Sequence, residues 1–210
     1  MLTSKNITVR AAAVFITGSL LFATSCSGAK IPDDGYLLAE PDGGDYSYSY
    51  PEEWKVIRSD SMVAVEAPDG KANISSMQYE LPLESFELSV YSESESPWSD
   101  LLDDYVNREN GGYISLLREN FGQNVDFPEE FISDFEVNEQ KYPGKRLIYH
   151  IKVGEDDYYF ETALIIMPST DPTFCYLYDL TYTALGEDIY NEHKPVFDKV
   201  VSSFEFKMLG

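Results

Sequence analysis

The sequence predicts an α+β fold in which helices flank a central antiparallel sheet. Three observations carry this prediction. Segments rich in tyrosine, valine and isoleucine alternate with period two, glycine and aspartate punctuate them at hairpin spacing, and a few stretches repeat apolar residues at helical spacing. The chain has 210 residues, 43% of them apolar and 14% aromatic, enough to bury one core and too short for two ordinary domains.

In chain order, Tyr46-Ser-Tyr-Ser-Tyr50 alternates strictly and stops at Pro51, and strands follow at 54–58, 62–67 and 72–79, with Pro68-Asp-Gly70 as a turn. Ser99 is the expected cap of a helix whose apolar face is Leu101, Leu102, Tyr105 and Val106, ending near Gly111-Gly112. A second helix over 113–120 aligns Ile114, Leu117 and Phe121. Strands return at 132–140, 146–153, 158–167 and 174–183, with Gly144 and Gly154 expected in tight hairpin turns. A last amphipathic segment, 188–203, aligns Ile189, Val196, Phe197, Val200 and Phe204, and Pro195 should start or kink it.

The first 25 residues read as an address. Lys5 and Arg10 precede an apolar run from Ala11 to Ala23, and Thr24-Ser25-Cys26 follows. As a helix that run rises about 20 Å, short of the roughly 30 Å hydrocarbon core. The pattern resembles the lipobox of bacterial lipoproteins, with Ala23 where leucine is commonest. It implies cleavage between Ser25 and Cys26, diacylation of Cys26 with palmitate-type chains, and a lipid-anchored domain on the extracytoplasmic face of the cell membrane, or at the outer membrane if the host has one. Residues 26–45, rich in Gly, Pro, Asp and Ala, are expected to form a flexible tether, and residues 46–207 a single domain.

Thirty-seven acidic residues against 15 basic ones give a formal charge of −22. That excludes the basic surface needed for nucleic acid or for electrostatic docking on anionic lipid. Two cysteines make neither a disulfide framework nor a four-thiolate zinc site.

Several segments carry a family resemblance. Tyr46-Ser-Tyr-Ser-Tyr-Pro-Glu-Glu-Trp54 resembles the opening of the PsbP-like superfamily, Ala72-Asn-Ile-Ser75 its "a-N-i-s" strand, and Leu180-Thr-Tyr-Thr-Ala184 with Tyr190 and Val200-Val-Ser-Ser-Phe204 its ending. Together they span about residues 46–206. The resemblance implies a PsbP-like α/β sandwich, no shared cofactor, and binding or assembly roles rather than catalysis. An acidic stretch at 84–96 has no counterpart and is expected to be a solvated loop.

No residue set calls for catalysis, a cofactor or a metal. His150 sits on the polar side of an alternating strand, His193 lies at a helix boundary, and neither belongs to a zinc-protease spacing. Cys175 lies in an apolar strand of an acidic protein, the setting of an inert thiol. Adjacent carboxylates such as Asp103-Asp104 and Asp156-Asp157 point apart on any regular element. Among the sixteen tyrosines, Tyr46, Tyr48 and Tyr50 share one strand face and Tyr176, Tyr178 and Tyr182 another. These six are the candidate ligand surface, an aromatic platform for sugars or an apolar patch, against the plainer expectation that their rings turn inward. The expected function is a membrane-anchored binding or assembly module for an envelope protein or glycan. The alternative is an envelope carbohydrate-binding module or hydrolase that uses the tyrosine faces or carboxylates.

Overall fold

The computed structural model describes residues 35–41, 45–59, 62–91, 93–137 and 142–206. Cys26, Ser25 and the whole leader lie outside the described residues.

Eleven strands and four α-helices are described: β1 (Tyr36–Ala39), β2 (Tyr46–Pro51), β3 (Lys55–Ser59), β4 (Met62–Glu66), β5 (Ala72–Pro82), α1 (Leu88–Tyr91), α2 (Pro97–Asn107), α3 (Tyr113–Phe121), β6 (Val125–Asp126), β7 (Ile132–Val137), β8 (Tyr142–Val153), β9 (Asp156–Pro168), β10 (Phe174–Leu185), α4 (Glu187–Ser202) and β11 (Glu205–Phe206). Eight strands form one antiparallel sheet in the order β3-β4-β5-β10-β9-β8-β6, with β7 beside β6 along the same edge of β8. A second sheet, β1-β2-β11, is small and also antiparallel. The expected α+β class is what the chain adopts.

Period-two alternation gives the large sheet two apolar faces. On β10, Tyr178, Leu180, Tyr182 and Ala184 turn to one core, while Cys175 and Leu177 turn to the other. The first core is closed by α4 and the small sheet, which contribute Phe197, Val200, Tyr46 and Tyr48, with Phe204 from the link between α4 and β11. The second is closed by α2 and α3 through Leu101, Leu102, Val106, Ile114 and Leu117. Two ion networks fasten helices to strands. Lys145 Nζ lies 2.5 Å from both Asp103 of α2 and Asp134 of β7. Glu161 of β9, 1% exposed, meets Arg146 at 2.9 Å and Lys194 of α4 at 3.5 Å.

The elements depart from expectation in five places. Tyr36–Ala39 falls inside the stretch read as tether, yet it pairs with β2 from Tyr36↔Pro51 to Ala39↔Tyr48. Four residues too short to show periodicity are fixed by a partner strand. Helix α2 begins at Pro97 rather than after Ser99, because proline at the first helical position carries no N–H to leave unpaired. Pro195 lies inside α4, which neither starts nor stops there. Pro195 and Asn191 are both exposed, so the carbonyl deprived of its helical donor faces water.

The acidic stretch is anchored rather than merely solvated. Leu83 and Phe86 are buried, and the Arg108 guanidinium lies 4.0 Å over the Phe86 ring. Finally, Gly144 is a strand residue, not a turn, with the Phe135 ring laid across it from β7. A Cβ at 144 would stand 2.5 Å from Phe135 Cζ. Gly144→Ala is therefore expected to destabilise the fold by about 1–3 kcal/mol. A lowered denaturation midpoint with an unchanged slope would show it, and an unmoved midpoint would refute it.

Candidate functional site

Helix α2 lies over β8 and β9, and the core it shares with α3 takes in Cys175 and Leu177 of β10 and Tyr79 and Leu81 of β5 but stops short of the other end of these two strands on the same face. That end shows Asn73, Ser75 and Met77 of β5 and Thr181 and Thr183 of β10, all half-buried. Register aligns three hydroxyl residues in one cross-strand row, Ser75↔Thr181 and Thr181↔Thr162. Threonine suits a strand because its branched Cβ packs on the pleat, and here its hydroxyl also carries the polar network.

The network ends on a carboxylate. Thr181 Oγ1 donates to Asp179 Oδ1 at 2.7 Å. Thr162 Oγ1 lies 2.8 Å from Thr181 Oγ1 and, since the Thr181 proton is committed to Asp179, Thr162 is the donor. Tyr113 OH donates to Thr162 at 3.3 Å, and Tyr149 OH lies 3.4 Å from the same oxygen. The bonds thus run from helix α3 across two strands towards Asp179.

Burial pushes the Asp179 carboxyl up to about 6, against the lowering effect of the Thr181 and Tyr113 hydroxyls. Among the described residues no lysine, arginine or histidine forms an ion pair with it. Five tyrosines feel its charge, Tyr46 among them, where burial is the larger cause. Burial first, and the Asp179 charge after it, raise the hydroxyl pKa of Tyr79, Tyr105 and Tyr113. At Tyr149 burial leads and the Asp179 charge contributes again, pushing the hydroxyl up to about 12. The arrangement is a desolvated carboxylate held by threonine hydroxyls on this sheet face. It offers hydrogen-bond acceptors and charge for binding.

The six tyrosines singled out in the sequence do not form a platform. Tyr46, Tyr48, Tyr50, Tyr178 and Tyr182 are at most 6% exposed, and Tyr176 is half-buried against Phe174 and Tyr178. Their rings complete the first core, where Tyr182 stacks on Phe197 at 5.6 Å and Tyr46 on Phe204 at 5.3 Å. Four of their hydroxyls are used internally, that of Tyr48 accepting from Ser76 Oγ at 3.3 Å. Tyr46 donates to Ser76 Oγ at 3.0 Å, Tyr178 to Asp45 at 3.1 Å, and Tyr182 to the carbonyl of Tyr190 at 3.0 Å. Alternation revealed that each set shares a face but could not say that a second sheet and a helix cover it.

His150 reaches Asp126 at 2.6 Å on an exposed edge, and His193 packs edge-on against Trp54 at 5.4 Å. Cys175 is fully buried, and burial raises its thiol to about 11, away from reactive thiolate. None of these lies among the hydroxyl residues that meet at Asp179. The sequence did contain a signal for that site. Asp179 interrupts an apolar alternation, Leu177-Tyr-Asp-Leu-Thr-Tyr-Thr183, in a strand with neighbours on both sides.

Fold and site together define an α+β sandwich domain with a hydroxyl–carboxylate cluster on one sheet face. The solved structure of LpqN, described as involved in cell envelope biogenesis of Mycobacterium tuberculosis, is similar to it. The TM-score is 0.54 at 10% identity, covering 83% of this chain and 93% of that one. The likeness establishes a shared fold. The Saccharomyces cerevisiae Ran-binding protein Mog1p matches with a TM-score of 0.43 at 10% identity over 81% of this chain and 95% of its own. A protein of unknown function from Pseudomonas aeruginosa, PA94, matches at 0.40 and 12% identity over 80% and 94%. No family model matches the sequence, and no curated protein is similar to it.

Proposed function

We propose that this chain is a lipid-anchored extracytoplasmic protein whose PsbP-like domain acts without catalysis, by binding an envelope component on the Asp179 face of its large sheet. The leader, the apolar run and Cys26 support the anchor. LpqN, the envelope-biogenesis protein of similar fold, agrees with that location. The observation that carries the binding reading is Asp179, a desolvated carboxylate without a cationic partner among the described residues. An unpaired buried charge costs stability, and such costs concentrate where a protein binds or reacts.

Two measurements test the two halves. Cys26→Ala is expected to move the protein out of the membrane pellet, or to leave an uncleaved precursor, and wild-type retention in that variant would overturn the anchor. A photoreactive phenylalanine analogue at Thr183, on the same face, should give a discrete crosslinked product in the native envelope. The same residue at Val153, 42% exposed in the β8 strand end, serves as the control. Equal products from both positions would overturn the binding face.

A further inference from the structure

We propose that the Asp179 carboxylate receives a primary alkylammonium group, an inference that rests on this sheet face being the binding face. The first argument is charge. Elsewhere among the described residues the buried charges are matched: Glu161 with Arg146 and Lys194, and Lys145 with Asp103 and Asp134. Asp179 alone of these is left for a cation from outside. A formal charge of −22 further draws cations to the surface and repels anions.

The second argument is the direction of the hydrogen bonds. Tyr113 donates to Thr162, Thr162 to Thr181 and Thr181 to Asp179, so protons point along the chain towards the carboxylate. What remains for an incoming group is acceptor capacity, which suits three N–H donors on one nitrogen. A quaternary ammonium has none to give. A divalent metal would find one carboxylate among neutral hydroxyls, poor company for an ion that favours several charged oxygens. The third argument is the wall. Half-buried Met77 and Tyr79 stand beside Asp179 on β5, in register Met77↔Asp179, and offer apolar surface to an alkyl stem.

The groups facing Asp179 are the hydroxyls of Thr181 and Thr162 and those of Tyr79, Tyr105, Tyr113 and Tyr149, and all four phenols have raised pKa values. Asp179 is thus the group that titrates near neutrality, and affinity should fade as pH falls through about 6.

The test is an NMR titration of the full chain in uncharged detergent micelles with n-butylammonium chloride, 1-butanol and tetramethylammonium chloride. Saturating amide shifts at Met77 and Thr181 are expected with n-butylammonium, at least tenfold weaker with the other two. Asp179→Asn, which keeps the side-chain shape, should weaken n-butylammonium at least tenfold while amide dispersion elsewhere persists. Equal binding of 1-butanol, or unaltered binding by Asp179→Asn, would overturn the proposal. Two further arms identify the source of the amine: vesicles containing phosphatidylethanolamine against phosphatidylglycerol alone, and a lysine-containing tripeptide against its acetylated form. Binding in either arm supports the ammonium, and its absence from both overturns the proposal. If n-butylammonium fails while the Thr183 crosslink survives, the ammonium assignment falls and the binding face stands. Loss of both removes both.

Discussion

Arg146→Met is expected to destabilise the domain by about 2–4 kcal/mol, lowering its melting temperature by roughly 5–12 °C. Arg146 Nη1 bonds Glu161 Oε1 at 2.9 Å and Asp198 of α4 at 2.5 Å, so one guanidinium joins strands β8 and β9 to the last helix. Methionine would fill much of the same volume but strand the Glu161 carboxylate, whose side chain is 2% exposed, with Tyr190 OH at 2.8 Å and Lys194 Nζ at 3.5 Å. Removing one partner of a buried pair costs more than the pair contributes, because the remaining charge has no water to return to. The double variant Arg146→Met/Glu161→Gln should therefore recover a large part of the loss. Chemical denaturation of the three proteins decides it. A loss below about 0.5 kcal/mol for the single variant, or no recovery in the double, would show that the network is dispensable.

Asp179→Asn should have the opposite sign, stabilising the domain by about 1–3 kcal/mol at pH 7.5. The folded-state carboxyl is raised to about 6 from 3.8, so above that range the folded protein holds a charge that the unfolded chain solvates better. The folded state binds the extra proton between the two values, so the penalty vanishes as pH falls from 6 towards 4. The difference between wild type and variant should accordingly be largest above pH 7 and close at pH 4. A variant no more stable than wild type at pH 7.5 would mean the carboxylate is better hydrated than its surroundings indicate. A carboxylate that lowers stability in this way would fit a binding role, where stability is commonly given up for function.

The strand pattern was legible from alternation, and so were both packing helices, because Leu101, Leu102, Tyr105 and Val106 repeat at helical spacing. What the sequence hid depends on long-range partners. Tyr46, Tyr48 and Tyr50 alternate in the same way whether a face meets water or a second layer, and only α4 and β11 decide it. Gly144 reads as a turn until Phe135 is seen lying across it. The Asp179 site draws on residues as far apart as Ser75, Tyr113, Thr162 and Thr181, which only the strand register brings together.

The pairing of β1 with β2 bears on how far the domain can travel. Were the chain free from Cys26 to Tyr46, its contour would allow a stand-off of about 70 Å. Because Tyr36–Ala39 is fixed in the small sheet, any tether from the proposed acyl anchor could run no further than Tyr36, and its longest contour would be roughly 35 Å. Given the anchor proposed at Cys26, a domain on so short a leash would stay in a thin layer next to the bilayer and meet ligands held there at high effective concentration. Weak, single-group recognition would then suffice, because proximity would supply what one carboxylate cannot.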